Sequence, residues 1–401
     1  MATLVNQAEQ SATLPPAQPT YILRGHSAQI HAVHFFSTNR YLISGDADGW
    51  VIIWDMPIRR PVGVWRAHTG SILGIKSWPG LVDEEDVKII THGRDNKVHV
   101  WQLTQDDISR LSTNFPADAE PADSRHPWLL HTLTVNALNF CSFATSPSPT
   151  SLNAPESNAN DHPTIIIAVP GLQDGDINLT TLPHETRLAT IVHPASIKTG
   201  MVMAIALHID PTDQLRVVVG YESGYICLFA QRTGSKQWEA IYTHETHTQP
   251  TLSLDLAPGG LGYFYSSSAD AIIGRHALLP GRRETKIAKT KHAGQQSLVV
   301  RSDEKVFATA GWDGRIRVYS TQSLKELAVL KWHKEGCYAL AFAHVHSGEA
   351  RAGVRDGEGP EGNRITGRTM TVAQQRERKT KETHWLAAGS KDGKISLWEL
   401  Y

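Results

Sequence analysis

Twenty histidines and 40 acidic residues give this 401-residue chain ample material for proton transfer or metal ligation. A histidine precedes an aspartate in several places: His26 before Asp48, His68 before Asp95, His292 before Asp313 and His333 before Asp392. Brought together, such pairs suit general acid–base catalysis or a metal site. The intervals argue against convergence, because each pair belongs to its own copy of one repeated hairpin. The chain also lacks a glycine-rich phosphate loop, a nucleophile motif and an HExxH helix. No catalytic residue, metal ligand or cofactor is therefore assigned, and the chain is read as a non-enzyme.

The hairpin is clearest at Leu42–Asp55, LISGDADGWVIIWD. Asp-Gly between apolar runs favours a tight turn, and the β-branched run Val51–Ile53 favours a strand buried on both faces. Six further copies follow at Ile89–Leu103, Ile167–Leu182, Val217–Phe229, Tyr265–Leu278, Phe307–Ser320 and Leu386–Leu400. Allowing for insertions, the unit is about 43 residues, the length of a four-stranded propeller blade. The expected fold is all-β, a seven-bladed β-propeller over residues 20–401 behind a disordered tail, residues 1–19. The last unit ends after three strands, while an unassigned strand, Tyr21–Arg24, precedes the first. Pairing the two would complete the last blade and remove an open edge.

Three stretches without periodicity, at about 104–126, 145–163 and 346–382, are expected to be flexible loops. Strand order places them, with the acidic loop Asp83–Asp86, on one face of the disc. The Asp-Gly turns lie on the opposite turn face. The residue before each turn Asp projects there beside the central channel: Ala47, Arg94, Gln173, Glu222, Ala269, Trp312 and Lys391. Trp and Arg are over-represented at interface hot spots, so Trp312 and Arg94, with Glu222 and Lys391, are the candidate partner-binding residues. Trp50, one residue past its own turn, is a secondary candidate with a competing place in the core.

Net charge is −1 and the pI near 7.1, so no global field recruits nucleic acid or an anionic membrane. The three cysteines are isolated, and neither a spanning apolar run nor a leader is evident. These features predict a soluble intracellular chain, monomeric within a complex. The basic run Arg376–Lys381 is a competing nuclear-import or nucleic-acid element, although its acidic neighbours suit a solvated loop.

Arg24-Gly25-His26, Ala67-His68, Lys291-His292 and Trp332-His333 each open a repeat, and Trp54-Asp55 closes the first. With these markers the chain resembles the WD-repeat family. In that family the His, a Ser or Thr four residues before the turn Asp, the Asp and the Trp hydrogen-bond in series. The resemblance implies networks of His26, Ser44, Asp48 and Trp54; of His68, Thr91, Asp95 and Trp101; and of His292, Thr309, Asp313 and Tyr319. The seventh, His333, Asp392 and Trp398, has Ala388 at the hydroxyl position and is expected to be incomplete. His131, His193 and His247 are degenerate equivalents.

PAQPTYILRGHSAQIHAVHFF, RPVGVWRAHTGSILGIKSW and the ending GSKDGKISLWELY resemble, more narrowly, the fungal ASTRA-associated protein 1 family. They are also similar to the animal G-protein-beta-subunit-like protein 1. That resemblance implies a nuclear scaffold subunit of the ASTRA assembly, also present in the cytoplasm. The roles implied are chromatin remodelling and maturation of phosphatidylinositol-3-kinase-related kinases. Its implied partners are a kinase-related scaffold, an AAA+ helicase pair and a kinase-maturation co-chaperone trio. A second reading is a reader propeller that takes a modified histone tail or phosphopeptide in its turn-face channel.

Overall fold

The computed structural model describes residues 17–78, 86–116, 125–136, 140–150, 164–232, 234–258, 262–278, 285–345 and 370–400. The apolar runs pair as antiparallel strands into seven four-stranded sheets, the blades of a propeller. Strand β1 (Tyr21–Arg24) precedes blade 1, which comprises β2 (Ile30–Phe36), β3 (Tyr41–Asp46), β4 (Trp50–Asp55) and β5 (Arg60–Arg66). Blade 2 follows as β6 (Ile72–Ser77), β7 (Asp86–Gly93), β8 (Lys97–Thr104) and β9 (Trp128–Thr134). Blade 3 is β10 (Ala144–Pro147), β11 (Ile165–Pro170), β12 (Ile177–Leu182) and β13 (Thr186–Ile191). Blade 4 is β14 (Val202–Ile209), β15 (Leu215–Tyr221), β16 (Tyr225–Gln231) and β17 (Trp238–Glu245). Blade 5 is β18 (Thr251–Leu256), β19 (Tyr263–Ser268), β20 (Ile272–Ala277) and β21 (Lys286–Lys289). Blade 6 is β22 (Gln295–Val300), β23 (Val306–Gly311), β24 (Arg315–Ser320) and β25 (Glu326–Lys331). Blade 7 has β26 (Cys337–Phe342), β27 (Trp385–Ser390) and β28 (Lys394–Glu399), and takes β1 as its fourth strand.

That last pairing closes the ring, with Tyr21 opposite Leu397 and Arg24 opposite Lys394. Leu23 joins one buried cluster with Trp54 of blade 1 and Ile395 and Leu397 of blade 7. The second and third strands are buried on both faces because blades pack on either side, which explains their continuous β-branched runs. Gly49 sits in its turn at φ +85, and a Cβ there would lie 2.0 Å from the His68 carbonyl oxygen. Blade 2 meets the same backbone demand with Asn96 at φ +68.

Two of the three insertions hold helices where flexible loops were expected. Helix α1 (Gln105–Arg110) starts on a capping box between Thr104 and Asp107. The chain leaving it buries Leu111, and the Val64 amide donates to the Ser112 carbonyl, so Leu111–Phe115 covers the outer edge of blade 1. Helix α2 (Val372–Glu382) has its own capping box, Thr371 with Gln374, and buries Thr380. Glu377 pairs with Arg40, and Lys379 with Glu399, which ties the basic run to blades 1 and 7. The second insertion starts later than expected, since residues 144–147 form the first strand of blade 3. Residues 1–16, 117–124, 151–163 and 346–369 of the expected tail and insertions, and residues 83–85 of the acidic loop, lie outside the described residues.

Candidate interaction surface at the channel mouth

The histidine–aspartate pairs are spread around the ring and lie in separate blades, the first, second, third, fifth and seventh. In blade 2 the His68 ring bonds the Asp95 carboxylate (2.9 Å) and the Thr91 hydroxyl (2.8 Å), and the Trp101 indole N–H donates to that hydroxyl (2.9 Å). Burial raises the Asp95 pKa, but the hydrogen bond and charge of His68 outweigh it and hold the carboxyl down at about 2. Blade 5 builds the same series from His247, Asp270 and Ser266, with the His276 ring in the tryptophan's place.

Blade 1 departs from the expected series. His26 bonds Asp46 (2.8 Å) and Ser44 (2.7 Å), and Trp54 donates to Ser44 (2.9 Å). Asp46, fully buried, also accepts from the amides of Asp48 and Trp50, whereas the Asp48 side chain is exposed. The carboxylate two residues closer to Ser44 reaches both the imidazole and the turn amides, so Asp48 has no part in the network.

Blades 6 and 7 correct two further expectations. The buried Arg317, on the third strand of blade 6, grips Asp313 with both terminal nitrogens (2.5 and 3.2 Å), and the His292 ring takes no part. A bidentate guanidinium is the stronger partner for a carboxylate. Tyr319 stacks on Phe307, ring centroids 5.1 Å apart, and Thr309 is buried beside this strand pair. In blade 7 the hydroxyl missing at Ala388 comes from Ser396, its cross-strand partner. Ser396 is 2.9 Å from both the His333 ring and the Trp398 indole nitrogen, and His333 lies 3.4 Å from Asp392. That network is complete. These contacts hold His26, His68, His247, His276 and His333 as structural partners, and among the described residues no group of three His, Cys, Asp or Glu is placed to hold a metal.

A bulge at the start of most first strands turns two side chains per blade toward the channel. His31 and His34, Leu73 and Lys76, and Asp255 line the bore. Burial pushes the Asp255 carboxyl up to about 6, although it accepts from the Val300 and Leu256 amides, and burial pushes His34 down to about 4. This mixed polar and charged bore contrasts with its mouth on the turn face. There a depression of about 360 Å³ is walled by Trp312, Phe140, Tyr338, His31, Ile72, Leu73, Gln29 and Gln296.

Trp312 is 48% exposed and Phe140 54%. The Trp312 indole N–H donates to Gln296 (2.8 Å), which holds the ring upright, and its edge packs against Gly294. Arg94 lies over the Phe140 ring, 4.5 Å from its centroid, and is exposed. Of the surface residues expected from sequence, Trp312 lines the depression, and Arg94 reaches its rim by stacking on Phe140. Glu222 and Lys391 are exposed in their own turns outside its lining. Trp50 is no surface residue: at 8% exposure it belongs to the cluster joining blades 1 and 7. The strand following its turn alternates faces, and Trp50 shares the inward face with Ile52 and Trp54. Sequence reasoning missed Phe140, Tyr338 and His31. The signal available was a large side chain at or just before the start of a first strand, the positions that ring the channel.

The family model for ASTRA-associated protein 1 matches residues 19–398. A protein of that name from Aspergillus flavus is 44% identical, with 96% of this chain and 98% of the relative aligned. The corresponding protein from Penicillium rubens is 45% identical over 96% and 98%, and that from Schizosaccharomyces pombe 32% identical over 96% and 99%. The match covers every blade and the closing strand, and the chain belongs to the ASTRA-associated protein 1 family.

Proposed function

We propose that this protein is a non-catalytic scaffold subunit of the ASTRA assembly, working in the nucleus with a cytoplasmic pool. It would hold assembly subunits together for chromatin remodelling and for maturation of phosphatidylinositol-3-kinase-related kinases. Support comes from the relatives' name, which says ASTRA-associated, and from a fold whose histidine–aspartate pairs are spent on blade structure. The observation that carries the reading is the half-exposed Trp312 beside Phe140 and Arg94. An aromatic depression with an unburied guanidinium at its rim has the composition of an interface hot spot.

The second reading, a reader of modified tails, is favoured by the three aromatic walls Trp312, Phe140 and Tyr338. Arg94 at the rim disfavours a methylammonium group and suits an acidic or phosphorylated peptide. Trp312→Ala with Arg94→Ala is expected to abolish co-purification of the kinase-related scaffold, the AAA+ helicase pair and the co-chaperone trio. The melting temperature should stay within a few degrees. A folded double variant that still captures every subunit overturns this placement of the site. Binding of trimethyl-lysine or phosphoserine peptides to the wild type alone, with subunit capture intact in the variant, favours the reader.

A further inference from the structure

Six of the seven blades place a ring at one equivalent position near the end of the third strand. The cross-strand pairs are Leu42 with Trp54, Ile89 with Trp101, Val217 with Phe229, Phe264 with His276, Phe307 with Tyr319 and Leu386 with Trp398. In blade 1 this ring sits in a cluster shared with blade 7, so the position faces the preceding blade. Blade 3 alone has no ring there: Ile167 pairs with Thr180. The hydroxyl position of blades 1 and 2 is also lost, since Val169 stands opposite Asn178 as Ser44 stands opposite Ile52.

An open slot of about 560 Å³ occupies this seam between blades 2 and 3. Its apolar wall is Leu133 and Val135 from one side and Ile167 and Val169 from the other, with Thr180 and Asn178 half-exposed on its floor. Three charged residues line it. Asp176 is bound by His193 and Glu185 by His131. Arg187, the cross-strand partner of Thr180, is exposed and forms no ion pair among the described residues. At the turn-face end Leu172 is 84% exposed, which extends the apolar wall outward.

We propose that this slot receives an aromatic side chain from an extended, acidic segment of a partner protein. The ring takes the place that each other blade fills from its own chain, and an indole or phenol there meets the Thr180 hydroxyl. An acidic residue beside it meets Arg187, the one charge in the wall without an ion pair among the described residues. This site is separate from the channel mouth and does not rest on the reading given above.

The probe is a short acidic peptide with one tryptophan, labelled with fluorescein, titrated against the full-length protein and followed by anisotropy; an alanine-for-tryptophan peptide is the control. The tryptophan peptide should bind and the control should not. T180W, which supplies the ring in cis, and N178F, which fills the slot from its half-exposed floor without adding charge, should each weaken binding roughly tenfold or more. T180W should also melt at or above the wild-type temperature, and W312A should bind the peptide as the wild type does. The proposal is overturned if the wild type fails to discriminate between the peptides. It also falls if a folded slot variant binds normally, or if W312A loses binding while the slot variants keep it.

Discussion

Two seams of the same ring are built differently. Between blades 7 and 1, Trp54 donates to Ser44, His26 bridges Ser44 and Asp46, and β1 packs Leu23 against Ile395 and Leu397. Phe115 then lies against Trp54 from outside, centroids 6.1 Å apart. Between blades 2 and 3 the equivalents of Ser44 and Trp54 are Val169 and Thr180, and the seam stays open. The sheet hydrogen bonds of blade 3 are intact, so the ring tolerates a seam without a tryptophan. Side-chain filling between blades is separable from blade formation. Closure of the chain is secured at the first seam, where its two ends meet.

The largest effect should come from cutting the closed seam. Deleting residues 1–24 removes β1 and bares the β28 edge, and should lower the melting temperature by about 10 °C or more, while deleting 1–16 should leave it unchanged. Equal melting of the two truncations, measured by calorimetry, would show that β1 does not secure the ring.

Next in size is the ring position itself. Trp54→Ala should cost about 3–5 kcal/mol by leaving a cavity in the cluster shared by blades 7 and 1. Thr180→Ala at the open seam should change stability by less than about 0.5 kcal/mol. Urea titrations of both variants test this directly, and similar losses would mean that the two seams carry equal load.

The smallest difference lies within one turn. Asp46→Ala strands the His26 ring and two turn amides and should destabilise by about 1–3 kcal/mol. Asp48→Ala, with its side chain in solvent, should stay within about 0.5 kcal/mol. A larger loss from Asp48 would return the turn carboxylate to the position that the WD-repeat resemblance implies.

Periodicity alone determined much of this molecule. The Asp-Gly turns, the β-branched runs and the surplus strand at Tyr21–Arg24 dictate seven blades and their closure, because each records a local backbone or burial requirement. His68, Thr91, Asp95 and Trp101 were legible through the resemblance to the WD-repeat family, three of them on the β7–β8 hairpin and His68 ahead of the first strand of the blade. Trp312 and Arg94 were found because a residue before a tight turn must project from that face. Tertiary structure decided the rest. Asp46 outcompetes Asp48 because it reaches both the His26 ring and the turn amides, and Arg317, four residues past Asp313, displaces His292 through a two-pronged grip; the repeat pattern encodes neither. Ser396 replaces the hydroxyl missing at Ala388 from the neighbouring strand, a substitution visible only in the pairing register. Helix α2 emerged from a stretch with no apolar period because its anchors are a capping box and ion pairs to Arg40 and Glu399, far away in sequence. The open seam beside Thr180 depends on what blade 2 leaves unfilled, and a cavity belongs to two surfaces at once.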